Sequence, residues 1–102
     1  MGLFGNKNQK KFKDGSLYEG EIVKGKAQGK GKLTMPNGNV YEGEFAEDKQ
    51  NGKGKLTFPD GSYEGDFKNG FFEGNGTLIM EGTTYVGTFK GGKPVDVTEI
   101  VA

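Results

Sequence analysis

The sequence predicts an all-β fold: a single-layer, twisted antiparallel sheet of about eight strands, arranged as a solenoid of β-hairpins. Three observations carry this reading. Near-identical pentads recur at intervals of 22 or 23 residues, YEGEI from Tyr18, YEGEF from Tyr41, YEGDF from Tyr63 and YVGTF from Tyr85, and self-similarity at a fixed period marks stacked repeats. Within a pentad, aromatic and glycine positions alternate with acids, which is the two-residue period of a strand. Pro36-Asn37-Gly38 and Pro59-Asp60-Gly61 are turn chemistry, with glycine expected to take the positive φ.

The elements follow in order. Residues 1–10 read as a flexible basic leader, since residues 1–13 hold Lys7, Lys10, Lys11 and Lys13 and no acid. Residues 11–17 form a half unit, because KFKDG matches the later TFPDG. Units then run over 18–40, 41–62, 63–84 and, truncated, 85–94. Each joins its pentad strand through a polar loop to a second strand, such as GKGKLT at Gly29 and Gly52. There Leu56 and Phe58 face the same way as Tyr41 and Phe45. Two strands cannot hide an apolar face alone, so units must stack side by side. Residues 95–102, with VDVTEIV in place of GKGKLT, read as a capping strand over an edge that would otherwise pair with other chains.

Composition limits the chemistry. Only 31% of the 102 residues are hydrophobic while 20 are glycine, too little apolar material for a broad core. The 12% aromatic content at regular places argues against disorder. With no cysteine and no histidine, disulfides, thiolate catalysis, the usual zinc sites and the commonest general base are excluded. Ser16 and Ser62 fall in turns without a base, and Gly-x-Gly lies within strands rather than before a helix, so it cannot cradle phosphate. A non-enzymatic protein without cofactor or metal is expected. Lysines balance acids at 14 each, with no arginine, which argues against nucleic-acid binding. No apolar run suits a signal peptide, and the expected location is cytoplasmic.

The pattern Tyr-Glu-Gly-acid-aromatic, a glycine-bearing loop, Gly-x-Gly-x-Leu and Asp/Asn-Gly resembles the MORN (membrane occupation and recognition nexus) repeat. The likeness covers nearly all of residues 11–94, although the third turn, MEGTT, is shorter and lacks proline. It implies a curved sheet of hairpins used as a scaffold or docking surface, sometimes discussed for phospholipid binding.

One face of such a sheet carries Tyr18, Tyr41, Phe45, Phe58, Tyr63, Phe67, Tyr85 and Phe89, with glycines between that let rings lie over bare backbone. These residues are either a packed core or an open, concave groove for a protein segment, and both readings hold for different atoms of one ring. The opposite face alternates acids (Glu19, Glu42, Glu64) with lysines (Lys32, Lys55), a self-neutralising surface. That pattern lapses at Asn75, Thr77, Ile79, Val86 and Thr88, where VDVTEIV is expected to pack over or beside the neutral patch. Phe71 and Phe72 in a loop mark either a contact site or a residue pair buried by the cap. The leading expectation is a protein-protein interaction module, an adaptor or small inhibitor. The alternatives are a peripheral protein binding anionic lipid through Lys7, Lys10, Lys11 and Lys13, and a homodimer joined through sheet edges or the end cap.

Overall fold

The computed structural model describes residues 8–101. Among the described residues, nine strands form one antiparallel sheet in strict sequence order: β1 (Asn8–Lys11), β2 (Leu17–Val23), β3 (Lys26–Thr34), β4 (Val40–Ala46), β5 (Lys49–Phe58), β6 (Gly61–Lys68), β7 (Phe71–Met80), β8 (Thr83–Lys90) and β9 (Lys93–Val101). A flat single layer would be about 10 Å thick. The thinnest extent of the molecule is 22 Å, so the ribbon twists, as strands of L-residues must.

The extra strand relative to the expected eight comes from the stretch read as leader. Gln9 and Lys10 pair with Glu19 and Tyr18, so residues 8–10, inside what the sequence marks as flexible, belong to the sheet. Residues 1–7, including Lys7, lie outside the described part. At the other end, β9 pairs with β8 along nearly its whole length, with Val97 opposite Gly87 and Ile100 opposite Thr84. The cap thus lies beside the neutral patch, in the plane of the sheet.

Turns on the two long sides of the ribbon differ. One side has two-residue reversals at Lys24-Gly25, Glu47-Asp48, Asn69-Gly70 and Gly91-Gly92, all with positive φ, the geometry that suits the twist of a hairpin. Three of them hook onto the preceding unit: the N–H groups of Asp48, Gly70 and Gly92 donate to the carbonyls of Ala27, Gln50 and Phe72. On the other side Gly38 takes a positive φ of 93° as expected, but Gly61 does not. Gly61 is required for closeness instead, because a Cβ there would strike the carbonyl of Ile79.

The register sorts the residues into glycine, apolar and largely charged rows. Gly20, Gly31, Gly43, Gly54, Gly65, Gly76 and Gly87 pair successively across the sheet. Beside them on one face runs Tyr18–Leu33–Tyr41–Leu56–Tyr63–Leu78–Tyr85, and on the other Glu19–Lys32–Glu42–Lys55–Glu64–Thr77–Val86. Opposite charges therefore face one another strand by strand, each pair contributing roughly 0.2–1 kcal/mol.

Candidate functional site: the aromatic face

The core is built from a three-residue device repeated along the ribbon. Tyr18, Tyr41 and Tyr63 are fully buried, each ring lying on a glycine of the following strand, Gly31, Gly54 or Gly76. The hydroxyls donate to the carbonyls of Glu21, Glu44 and Asp66, at 2.7, 2.8 and 2.9 Å. Each buried polar tip thus has a partner inside its own unit. A phenylalanine from the next unit closes the far side edge-on: Phe45 against Tyr18 at 4.8 Å, Phe67 against Tyr41 at 4.8 Å, and Phe89 against Tyr63 at 5.1 Å. Edge-to-face pairs of this kind add about 0.5–1.5 kcal/mol beyond their buried area. A single sheet acquires a core because rings fold down along it.

Burial raises the pKa of all three tyrosine hydroxyls, with the neighbouring Glu21, Glu44 or Asp66 carboxylate adding to it; for Tyr63 the value is pushed up to about 12. Two of those acids have work of their own. The β4–β5 and β6–β7 ladders each carry a bulge, where Glu44 accepts from the Lys53 N–H at 2.9 Å and Asp66 from the Asn75 N–H at 3.3 Å. The Lys53 ammonium, paired with Asp66 at 2.5 Å, holds that carboxyl below the ordinary range. These carboxylates are occupied in closing the bulges.

The geometry corrects the expected groove. Tyr18, Tyr41, Phe45, Tyr63, Phe67 and Phe89 are at most 4% exposed, so they form the core and offer no contact surface. The reason is that each ring folds onto its glycine, with Leu33, Met35, Leu56 and Phe58 packed against the rings and themselves half-buried. With Met80, 43% exposed, they form the outer surface of this face.

Phe58 and Tyr85 alone of the expected groove residues stay partly open. Tyr85 departs from its three relatives because Val97, not glycine, stands opposite Gly87; the Val97 side chain occupies the space where the ring would lie. Phe71 and Phe72 do not sit in a loop but open β7. Phe72 stacks on Tyr63 at 3.8 Å and 7° rather than under the cap, while Phe71 on the other face is 56% exposed.

Of the lysines read as a lipid-binding set, Lys10 is committed elsewhere. Its ammonium contacts both Asp48 carboxylate oxygens at 2.9 and 2.8 Å and the Gly25 carbonyl at 2.7 Å, pinning β1 to two successive turns. Lys11 and Lys13 are exposed, and Lys7 lies outside the described residues.

The sequence reading missed the Lys10–Asp48 clamp, the carboxylates closing the bulges and the turn-to-turn hooks. Only the second left a signal: an acid three residues after each tyrosine in the first three pentads. A family model described as MORN repeat matches the chain four times, over residues 18–40, 41–62, 63–81 and 85–95. No curated protein matches it.

Proposed function

Since the chain belongs to the MORN repeat family, whose repeats are generally interaction modules, we propose that it is a non-enzymatic binding module docking one segment of a partner protein on its aromatic face. The observation that carries this is the half-exposed apolar strip of Leu33, Met35, Leu56, Phe58 and Met80, lying over a floor of locked tyrosines with no second layer above it among the described residues. Such a strip is pre-organised, since the rings beneath cannot rearrange, and a rigid apolar surface binds without an ordering cost of its own. Asp60 and Glu81 stand at its rim in the adjoining turns, so the fitting segment is amphipathic, apolar toward the strip and basic toward the turns.

The test compares three proteins in affinity capture from the native host: the wild type, Leu56→Ser/Phe58→Ser, and the opposite-face variant Lys32→Glu/Lys55→Glu, each checked for folding by circular dichroism. A partner kept by the wild type and the lysine variant but lost by the Leu56/Phe58 variant supports the reading. A partner held equally by all three folded proteins refutes it.

A further inference from the structure

The fold sorts charge across the width of the ribbon. All the lysines of the two-residue turns and their flanks, Lys24, Lys26, Lys49, Lys68, Lys90 and Lys93, are exposed and fall on one long margin. Among those same turn and flanking residues the acids are Glu47, paired with Lys26 at 3.1 Å, and Asp48, paired with Lys10, which leaves Lys24, Lys49, Lys68, Lys90 and Lys93; Glu21, Glu73 and Asp96 lie three residues further in. On the opposite margin stand Asp14, Asp60 and Glu81 against Lys11 and Lys13. A chain of zero net charge thus has one side whose rim is basic. That side also carries Phe71, 56% exposed, and Val23, 52% exposed.

We propose that this margin binds an extended acidic polypeptide segment carrying an apolar residue for Phe71. Successive turns on one side are two strands apart, about 9.6 Å, so an extended chain at about 3.3 Å per residue meets a new turn every third residue. From Lys24 to Lys93 it needs roughly nine or ten residues. The twist selects a polypeptide over a bilayer. At about 20° per strand, the six strand steps between the first and last of these turns rotate the margin by on the order of 120°. A flexible chain follows that path, whereas a flat membrane reaches only two or three turns at once.

The chain has no tryptophan, so Phe71→Trp places a single reporter on the margin. A ten-residue peptide of glutamates with one central leucine, titrated at low salt, is expected to shift the Trp emission. The effect should weaken as salt screens the lysines. Lys49→Glu/Lys68→Glu/Lys90→Glu in the Phe71→Trp background should lower the affinity at least about tenfold, while Lys32→Glu/Lys55→Glu in the same background, acting only through the longer-range field, lowers it clearly less. An unshifted emission, equal loss in both charge variants, or stronger binding to phosphatidylserine vesicles or to a ten-nucleotide single strand than to the peptide overturns the proposal. Because the margin and the apolar strip lie apart, Leu56→Ser/Phe58→Ser in the Phe71→Trp background should bind this peptide as the Phe71→Trp protein does.

Discussion

The ring of Tyr41 lies directly on Gly54, close enough that any β-carbon at position 54 would overlap it. Glycine is there to give the ring a floor, which makes the pentad and the following Gly-x-Gly one structural unit. Gly54→Ala must lift the ring or part the strands. Overpacking of this kind costs about 1–3 kcal/mol, and the tyrosine would also lose its 2.8 Å bond to the Glu44 carbonyl. Gly82→Ala, where an added β-carbon meets nothing within 4 Å, should cost only the strain of its φ of 85°. Urea unfolding of the two variants checks the ordering.

Tyr63 ties stability to alkaline pH. Its folded value is raised to about 12 from an ordinary 10, chiefly by burial, so the neutral form is favoured in the folded state. The resulting stability is complete below pH 10 and is lost as pH rises toward the folded value. Tyr63→Phe should lose about 1 kcal/mol at neutral pH through the unpartnered Asp66 carbonyl, and should unfold less steeply above pH 10 than the wild type. Parallel slopes for the two proteins would contradict the assignment.

Phe71 and Phe72 are neighbours in sequence with opposite expected costs. Phe72→Ala removes a ring stacked on Tyr63 and edge-on to Phe67 at 5.7 Å and Phe89 at 6.0 Å. The loss should be about 2 kcal/mol, below the 3–5 of a fully buried phenylalanine because Phe72 is only partly covered. Phe71→Ala should stay within about 0.5 kcal/mol. Thermal melts of both variants decide it.

The pentads were legible because a two-residue period fixes which side chains share a face, and Tyr41, Phe45, Leu56 and Phe58 do share one. Whether that face is open was not legible. Exposure depends on how far a ring folds along the sheet, and Tyr41 folds completely only because register brings Gly54 beneath it. The charge ladder was readable for the same reason of alternation. Lys10 and Asp48 are 38 residues apart, and no local pattern joins them. Residues 8–10 read as leader because residues 1–13 hold lysines and no acid; a strand pairing through its backbone needs no alternating pattern.

Val97 is the reason Tyr85 stays half-open, and Val97→Gly restores the glycine found under the other three tyrosines. The ring should then settle over residue 97, with its hydroxyl within reach of the Thr88 carbonyl. Glycine in a strand costs about 0.5–1 kcal/mol, which the new burial offsets. Nitration by tetranitromethane, read by mass spectrometry, should modify Tyr85 readily in the wild type and slowly in the variant. Equal rates would mean that Val97 is not what holds the ring up.

Asp48 is expected to govern the acid stability of the first strand. Burial raises its carboxyl, but hydrogen bonds from Lys10 and from the Ala27 N–H, together with the Lys10 and Lys26 charges, outweigh that and leave it below its ordinary value. For a depressed carboxyl the contribution is complete above the unfolded value near 4 and is lost as pH falls through the folded one. Asn tolerates the positive φ that Asp48 adopts, 69°, so Asp48→Asn keeps the turn and removes only the charge. We expect about 1 kcal/mol of local destabilisation at neutral pH. It should appear as faster amide exchange in Lys10 and Lys11 while the exchange of Tyr41 and Tyr63 is unchanged. Below pH 4 the wild type should fray at the same amides and approach the variant. Protection of β1 that is independent of both pH and the substitution would show that backbone pairing alone holds the strand.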